Sequence, residues 1–373
     1  MASLFILQRG GTFWRRSGSP LSRSLFFSNN YWLPRYCYTT VTTSNAETAP
    51  FPYQRVHQSV LLEEVIGYLA PQNGKIYLDG TFGEGGYTKR ILDSANCRVI
   101  AVDQDPSAIE KAHQLANIYP GRLSAVWQRF GDIAKLRQPF DGIVLDVGLS
   151  SSQIASNRGF SFQKDALLDM RMSYTDEHGA LCRLIPAHAI INQYSRDKLA
   201  SIFTKLGQER FAKNIAAEIE KRRATSPINT TRQLVDVIMT AVPKRYAHHS
   251  QIHPATRVFQ SLRIYVNDEL GQLRSALESA VQMLNVGGRL VVVSFHSLED
   301  SIVKKFFRDL AGQTSTSYID DNDYIEEEGE ASIADTLQSF NLLTKRALKA
   351  SSTEIECNPR SRSARLRALE RLE

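Results

Sequence analysis

Residues 78–105 read LDGTFGEGGYTKRILDSANCRVIAVDQD, and this stretch decides the fold. Apolar residues at 75–79 predict a strand, the loop after them is rich in glycine, and a second apolar strand ends on Asp103. Glycines at a strand-to-helix turn let a ligand approach the backbone closely. An acidic residue about 20 positions further on is where a ribose hydroxyl is usually held. The stretch therefore predicts a site for a nucleoside-containing cofactor.

The spacing of these glycines separates two classes of cofactor. A dinucleotide-binding loop has the pattern G-x-G-x-x-G, which after Gly83 and Gly85 would need a glycine where Thr88 stands. The pattern DGTFGEGG (residues 79–86) instead resembles the first motif of S-adenosylmethionine (SAM) methyltransferases. We therefore expect SAM as the cofactor and disfavour a nicotinamide-dependent oxidoreductase. A glycine-rich turn without a ligand is the structural alternative.

The length of the chain and its cysteine content limit the class of protein. The chain has 373 residues, enough for a well-buried core and two domains. Its four cysteines are scattered, with no C-x-x-C pair, which argues against a disulfide framework and against a zinc site. No apolar run approaches the ~18 residues that a membrane span needs. We therefore expect no bound metal and no membrane partner.

The positive charge is concentrated at the start of the chain. Residues 1–46 contain five of the 45 basic residues, all arginines, and no acidic residue; the other 40 nearly balance the 39 acidic residues. A leader that is rich in arginine and serine and free of acids is typical of a mitochondrial transit peptide. We expect residues 1–50 to be such a leader, with the mitochondrial matrix as destination. A secretory signal and a disordered tail without an address are the alternatives.

Strand and helix patterns predict an α/β protein with an interruption. Strands at 75–79, 98–103, 123–127 and 141–146 alternate with helices, which predicts a Rossmann-like parallel sheet with helices on both faces. From 160 to 253 only helical patterns occur, and a strand returns at 289–295. We therefore expect a methyltransferase domain at 56–159 and 254–373, and an inserted all-helical domain at 160–253. The eight acidic residues of 311–340, with no basic residue, predict a flexible loop.

Asp146 stands at the end of the predicted strand 141–146. Ligands of open α/β sheets bind at the carboxyl ends of the strands, so Asp146 and Asp103 are expected to face one crevice. Many amino-group methyltransferases carry an Asp/Asn-Pro-Pro-aromatic motif here, whereas this chain has DVGLSS (residues 146–151). The target base must then be gripped from elsewhere. Capping of a helix or loop is the structural alternative for Asp146.

At this point a resemblance becomes specific. The chain resembles the bacterial RsmH (MraW) family, which methylates the N4 amine of a cytidine in small-subunit ribosomal RNA. The matching motifs run over nearly the whole chain after the leader: HQSVLLEEV, DGTFGEGGYTK, AVDQDPSAI, DGIVLDVGLSSSQ, RGFSF, DMRM, GQERFAKNIA, HPATRVFQSLRIYVN, GGRLVVVSFHSLED and NPRSRSARLR. With the expected import leader, the chain resembles a mitochondrial member of this family.

The resemblance implies a set of cofactor-binding positions. The glycine loop and Tyr87 would lie at the methionine end of SAM, Asp103 on the ribose, and the remaining positions around the adenine and the sulfonium. Bacterial members usually have histidine where Tyr87 stands, so this contact need not be identical. The residues implied are Gly83, Gly85, Gly86, Tyr87, Asp103, Phe130, Asp146 and Gln153. For Phe130, ordinary core packing is the structural alternative.

Basic residues cluster where an RNA substrate would lie. Residues 194–263 hold 13 Lys/Arg against 5 Asp/Glu, and the last 33 residues hold eight against four. Clustering of this kind matters more than net charge for phosphate binding. A basic helix face that only contacts solvent is the structural alternative. With the resemblance, the expected substrate-binding residues are Arg171, His253, Arg257, Arg360 and Arg362.

The expected reaction needs alignment and a proton acceptor. The methyl group on a sulfonium is already activated, so the enzyme has mainly to align N4, methyl carbon and sulfur. Once attacked, N4 must lose a proton, and Asp146 or His296 is the candidate acceptor. The expected partner is the mitochondrial small-subunit rRNA or an assembling small subunit. A non-catalytic RNA-binding ribosome-assembly factor and a small-molecule methyltransferase are the competing functions.

Overall fold

The computed structural model describes residues 59–173, 184–249, 252–312 and 339–373. The expected leader at 1–50 and most of the expected acidic loop at 311–340 lie outside these residues. The described residues belong to one compact unit. Among the described helices, none has the length and apolar character needed to cross a bilayer.

A seven-stranded mixed sheet forms the centre of the molecule, in the order β3-β2-β1-β4-β5-β7-β6. The first five strands are parallel, and β7 is antiparallel to both β5 and β6. The strands are β1 (Ile76–Asp79), β2 (Arg98–Asp103), β3 (Leu123–Trp127), β4 (Phe140–Asp146), β5 (Leu284–Ser294), β6 (Phe340–Leu342) and β7 (Arg365–Arg371). The α/β class with a Rossmann-like sheet is confirmed, and the five strands that the sequence predicts are parallel, whereas the antiparallel strands β6 and β7 were not predicted.

Helices lie between the strands and cover both faces of the sheet. Two buried apolar clusters line the two faces, one with Tyr77 and Val99 from the strands and one with Leu78 and Ile143. The helices of this part are α1 (Leu62–Leu69), α2 (Gly86–Ser94), α3 (Pro106–Ala116) and α4 (Ser151–Ala155), with a 3₁₀ helix at Phe130–Leu136. Because neighbouring residues of a strand point to opposite faces, burial on both faces gives the continuous apolar runs seen in the sequence.

A third apolar core lies apart from the two that line the sheet. It gathers side chains of Phe160–Met172 and of five helices. The helices that follow α4 are α5 (Ala187–Gln193), α6 (Arg196–Gly207), α7 (Ala212–Arg223), α8 (Thr231–Ala241), α9 (Lys244–His249) and α10 (Ala255–Asn267). Helix α10 packs with this core through Val258, Phe259 and Leu262, although the sequence analysis assigns residues from 254 onward to the methyltransferase domain. The expected boundary at 253 therefore does not coincide with the edge of the helical core.

The helix pattern at 256–285 is one predicted element and two observed ones. Helix α10 ends at Asn267 and α11 (Glu269–Met283) begins two residues later. Asp268 between them has φ 50°, a left-handed conformation that ends a helix. Asp and Asn reach this region more readily than most residues, because their short polar side chains bond locally. No glycine or proline announces the break.

The C-terminal arginines contribute mainly to the fold. Helix α12 (Ser297–Leu310) carries Asp300, and the carboxylate of Asp300 accepts from Arg367 Nε and Arg365 Nη1, both at 2.8 Å. These two arginines lie on β7, beyond residues 358–362, which the sequence predicts to be an extended loop that contacts RNA or packs over the cofactor cleft. The extended conformation is wrong for 359–362, which lie in a 3₁₀ helix. Helix α13 (Ser352–Cys357) and a 3₁₀ helix at Pro359–Ser363 precede that strand.

Candidate active site

Three aspartates end three neighbouring parallel strands. Asp79 is the last residue of β1, Asp103 of β2 and Asp146 of β4. Because β2, β1 and β4 are adjacent and parallel, their carboxyl ends meet at one edge of the sheet. The predicted proximity of Asp103 and Asp146 follows from this order. Asp79 is a site residue that sequence reasoning did not single out, although its place at a strand end is the same signal.

The glycine loop connects β1 to α2 and bends back onto β2. The amide of Gly83 donates to Asp103 Oδ2 at 2.8 Å. Gly83 and Gly85 have φ 55° and 78°, values that favour glycine. At Gly85 a Cβ would lie 2.5 Å from the ring of Phe82, and at Gly86 it would lie 2.0 Å from Ser59 Oγ. Contacts within the protein thus leave no room for a Cβ at Gly85, and at Gly86 a Cβ would displace the Ser59 hydroxyl.

Asp103 receives two backbone amides. Besides Gly83, the amide of Asp105 donates to its Oδ1 at 2.8 Å. Burial outweighs these bonds and raises the pKa of Asp103 to about 6. A carboxylate oxygen has more than one lone pair, so each oxygen keeps capacity for a further donor such as a ribose hydroxyl. The geometry is compatible with the predicted ribose contact.

Asp146 carries an acceptor atom without a partner. Among the carboxylate oxygens of the three strand-end aspartates, Asp146 Oδ1 alone is buried without a hydrogen-bond partner in the described part of the chain. The backbone amide of Asp146 donates to Thr81 Oγ1 at 2.6 Å. Burial, and then the charges of Asp79 and Glu299, raise the pKa of Asp146 to about 7. Asp79 itself is held by Thr88 Oγ1 at 2.7 Å, and burial raises its pKa to about 6. A buried, unpaired acceptor is costly unless something else binds it.

Tyr87 is buried in α2 beside Asp146. Its hydroxyl donates to the carbonyl oxygen of Val60, and burial raises its pKa well above the ordinary value. The hydroxyl also interacts with the Asp146 side chain, and this interaction lowers the pKa of Asp146 against the larger effect of burial. A methionine-end contact, as predicted for Tyr87, would have to come from its ring or from the oxygen lone pair.

Gln153 and Phe130 act in the surrounding framework. The side chain of Gln153 completes a capping box with Ser150 at the start of α4, and its Nε2 donates to Asp105 Oδ2 at 3.2 Å. Asp105 is also paired with Arg158. Phe130 belongs to a buried cluster on one face of the sheet. Gln153 therefore links the β4–α4 turn to the turn after β2, and Phe130 has the core-packing role that the sequence analysis kept as its alternative.

His296 follows β5 and caps α12. Its Nδ1 accepts from the amide of Glu299 at 3.4 Å, and its Nε2 lies 2.8 Å from Glu299 Oε1. Despite this short distance, Nε2 and Glu299 Oε1 form no hydrogen bond, and both atoms are buried without a hydrogen-bond partner among the described residues. His296 Nε2 therefore contacts Glu299 without a hydrogen bond, and the role of His296 as a proton acceptor stays a prediction. Asp146 Oδ1 is the other candidate acceptor atom.

Two buried carboxylates lie near His296, and a guanidinium balances them. Glu269 and Glu299 each offer an oxygen that, with a nitrogen of His296, falls within 4.8 Å of the other two atoms. Arg263 donates to both oxygens of Glu269, at 2.7 and 2.8 Å, and its Nη2 lies 4.0 Å from Glu299. The arginine supplies the positive charge that such a cluster needs. Glu299 and Arg263 were not singled out from the sequence.

The predicted substrate-binding residues are not all available for RNA. Arg171 forms a two-bonded pair with Asp169, at 2.7 and 2.9 Å. His253 stacks on Phe162 with ring centroids 4.9 Å apart, and its Nδ1 accepts from Ala255 N at the start of α10. Both side chains have partners within the protein, and their RNA contacts stay predictions.

The other three predicted arginines lie at the crevice side or at the surface. Arg257 donates to the carbonyl oxygen of Gln208 at 2.9 Å and lines a cavity together with His296. Arg360 reaches across to Ser151 Oγ at the start of α4, so the C-terminal 3₁₀ helix folds over the glycine loop. Arg362 is exposed. The spatial arrangement thus keeps Arg257, Arg360 and Arg362 as candidates.

A crevice with these groups suits a cation that carries a ribose. Buried carboxylates favour a positively charged ligand, and Asp146, whose Oδ1 has no hydrogen-bond partner among the described residues, lies at the same edge of the sheet as Asp103. Residues 54–372 match the model of the MraW methylase family. The chain belongs to the MraW methylase family. It is accordingly a methyltransferase, and its cofactor is S-adenosyl-L-methionine.

Curated relatives agree with the family over most of their own length. Proteins named ribosomal RNA small subunit methyltransferase H are similar to this chain. The one from Sinorhizobium medicae is 46% identical over 329 residues, 87% of this chain and 89% of the relative. The one from Parvibaculum lavamentivorans is 42% identical over 321 residues, 84% of this chain and 89% of the relative.

Solved structures are more distant. SMU.1697c, a putative methyltransferase from Streptococcus mutans in complex with SAH, aligns with a TM-score of 0.39 at 12% identity over 85% of this chain and 100% of that chain. A putative rRNA methylase from Clostridium thermocellum gives a TM-score of 0.38 at 11% identity over 85% and 99%. The fold assignment rests on the strand order described above.

Proposed function

We propose that this methyltransferase transfers the methyl group of SAM to the exocyclic N4 amine of a cytidine in small-subunit ribosomal RNA. The names of its relatives support the RNA substrate. The observation in the fold that carries the proposal is the buried Oδ1 of Asp146, an acceptor without a partner among the described residues. An amine that becomes cationic on methylation needs such an acceptor close to it.

The strand-end residues divide the work. When bound, SAM supplies an activated methyl group. Asp103 would hold the ribose, the glycine loop would admit the methionine end, and Asp146 would orient the N4 amine and accept its proton. Because the amine is a poor nucleophile, most of the acceleration is expected from alignment at near-attack distance. Cytosine must be unpaired to enter, as for other enzymes that modify bases.

We further propose that residues 160–253 act as an RNA-recognition part, with 56–159 and 254–373 as the methyltransferase part. The separate helical core of Phe160–Met172 and the helices after it supports a distinct unit in this region. The excess of basic residues at 194–263 supports an anionic partner.

We propose the mitochondrial matrix as the location, and the mitochondrial small-subunit rRNA or its assembling subunit as the partner. The arginine-rich, acid-free residues 1–46 support import. Fusion of residues 1–50 to a fluorescent protein is expected to direct it to mitochondria. Cytosolic fluorescence of that fusion, with the arginine-free variant behaving the same, would refute the address.

The decisive experiment maps N4-methylcytidine in mitochondrial small-subunit rRNA with and without the protein. Loss of one modified cytidine, restored by the wild type and not by Asp146→Asn, is the expected result. Unchanged modification would refute the target. If Asp146→Asn restores ribosome assembly but leaves the cytidine unmodified, assembly depends on RNA binding as well, which is the competing function of a non-catalytic factor.

A further inference from the structure

A surface cavity in the helical part combines aromatic rings with guanidinium groups. It encloses about 370 Å³ and is lined by Arg210, Phe211, Pro243, Arg245 and Tyr246. The first two residues come from the turn between α6 and α7, and the other three surround the start of α9. The cavity lies outside the sheet crevice, and no step of methyl transfer uses it.

The rings and the guanidinium of Arg210 form a pre-built stacking surface. The centroids of Phe211 and Tyr246 are 4.9 Å apart with ring planes at 70°. The guanidinium carbon of Arg210 lies 5.3 Å from the Phe211 centroid and 5.2 Å from that of Tyr246. Both rings are half-buried, with their inner sides against the helical core, while Arg210 and Arg245 are exposed. We name these four side chains the stacking platform.

A buried glutamate, Glu209, fixes the turn that carries the stacking platform. Glu209 is 5% exposed, and its Oε1 accepts from the amide of Phe211 at 2.8 Å. Its carboxylate is therefore turned inward and does not pair with the guanidinium of Arg210. For Arg210, Lys244 and Arg245, no acidic partner occurs in the part of the chain that the structure describes. Three cationic side chains that have no carboxylate partner favour the binding of an anionic ligand to this surface.

We propose that the stacking platform binds an unpaired nucleotide of the RNA substrate, with the base against Tyr246, Phe211 and Arg210 and a neighbouring phosphate on Arg245. Unpaired bases are recognised by stacking on aromatic rings and on arginine planes. A guanidinium above a ring is also a cation–π contact, and a fork of donors suits a phosphate. An acidic peptide would use the charges but would leave the rings without a planar partner.

The platform is connected to the proposed active site through the same turn. Gln208 precedes it; its carbonyl oxygen accepts from Arg257, and its Oε1 accepts from Ser297 Oγ at 3.3 Å. Ser297 follows His296 at the start of α12, next to the cavity of Arg257. A strand whose target base enters the crevice can therefore continue along the Gln208 turn onto the platform. This inference deepens the proposed function and rests on its RNA substrate.

Stacking can be measured directly with the full chain. The probe is a single-stranded pyrimidine-rich RNA with one 2-aminopurine, whose fluorescence is quenched on stacking, and a hairpin of the same composition serves as the paired form. Arg210→Ala and Tyr246→Leu are each expected to weaken single-strand binding about tenfold and to remove the quenching, while Tyr246→Phe keeps both. Arg98→Ala, at an exposed arginine that begins β2 outside the helical part, removes the same charge and is expected to change affinity by less than about twofold.

The outcomes separate this inference from the proposed function. Wild-type-like quenching in Arg210→Ala and Tyr246→Leu, or equal losses for hairpin and single strand, would overturn the platform. So would unchanged RNA binding with a lost affinity for polyglutamate, which would assign the surface to an acidic peptide. If the wild type binds and quenches but methylates no cytidine, the platform stands and the proposed reaction fails. Because Arg210 is exposed, its alanine variant tests the idea even if a Tyr246 variant folds poorly.

Discussion

At the scale of single residues, the crevice keeps carboxylates in surroundings that oppose their charge. Burial raises the pKa of Asp79 and Asp103 to about 6 and that of Asp146 to about 7. For Asp146, neighbouring acidic groups add to the effect of burial. Carboxyl groups with raised pKa values are typical of functional sites, because a bound cation offsets the cost of their buried negative charge.

The first prediction concerns the reactivity of Asp146. In Asp146→Asn the side chain keeps its shape but cannot accept a proton, so kcat for methyl transfer is expected to fall about 10²- to 10⁴-fold. SAM affinity should fall much less than kcat. Tritium transfer from labelled SAM measures the rate, and a thermal shift with SAM checks binding. A variant that retains full kcat would exclude Asp146 as the acceptor.

The second prediction concerns pH. A sulfonium beside these groups favours their ionised forms, so SAM binding is expected to release protons and to tighten as pH rises from about 5 to 8. S-adenosylhomocysteine, whose sulfur is neutral, is the matched control and should show a weaker dependence. Calorimetry in buffers of different ionisation enthalpy counts the protons. Identical pH profiles for the two ligands would contradict the assignment of these carboxylates to the sulfonium.

The same pKa values fix the sign of stability against pH. The unfolded Asp146 loses its proton near 3.8 and the folded one near 7. The unfolded state therefore binds fewer protons between these values, and this group lowers the free energy of unfolding as pH rises through that window. The third prediction is that Asp146→Asn is more stable than the wild type at pH 8 and loses this advantage at pH 4, as denaturant titration can show.

At the scale of elements, the start of α2 depends on glycine for two separable reasons. Gly85 has φ 78° and faces the Phe82 ring, whereas Gly121 has φ 71° with nothing within 4 Å of its missing Cβ. The fourth prediction is that Gly121→Ala destabilises the protein by about 1 kcal/mol from backbone strain alone, and Gly85→Ala by about 1–3 kcal/mol more. Only Gly85→Ala should lose SAM binding. Equal effects of the two variants would show that the ring contact is unimportant.

How far the elements follow from sequence depends on the type of signal. The strands ending at Asp79, Asp103 and Asp146 are predicted within one residue at each end, because short apolar runs between turn residues are typical of strands that are buried on both faces. The break at Asp268 is missed, since a non-glycine residue adopts the left-handed conformation there. Ser59 looks like a helix cap, but Leu61 occupies the cap position with φ 52°. Local patterns do not contain such tertiary constraints.

The C-terminal strand shows the same limit for function. Arg365 and Arg367 alternate with apolar residues, which fits a strand, yet their charge suggested RNA contact. In the structure their partner Asp300 comes from α12, about 65 positions away along the chain, which no local pattern reveals. The site residues at strand ends were predictable because topology alone brings them together. The inward pairing of Arg171 and the capping by His296 depend on neighbours that only the fold supplies.

At the scale of the whole molecule, the bridge from Asp300 ties α12 to β7. Asp300 is 4% exposed, so removing its charge leaves the largely buried guanidinium of Arg367 without a charged partner. The fifth prediction is that Asp300→Asn lowers the free energy of unfolding by about 3 kcal/mol. Glu370→Gln, which breaks the more exposed pair with Arg289 at 3.1 Å, is the control and should lower it by about 1 kcal/mol or less. Chemical denaturation near pH 7 measures both, and equal losses would contradict a special role of Asp300.

The position of β7 has a consequence for synthesis. It inserts between β5 and β6, so the edge of β5 stays unpaired until residues 365–371 have been translated. An apolar strand with a bare edge is a template for pairing with other chains. During synthesis from the amino end, the nascent protein therefore exposes the unpaired backbone groups of β5. A premature stop a few codons before 365 would yield an insoluble product rather than a slightly shortened enzyme.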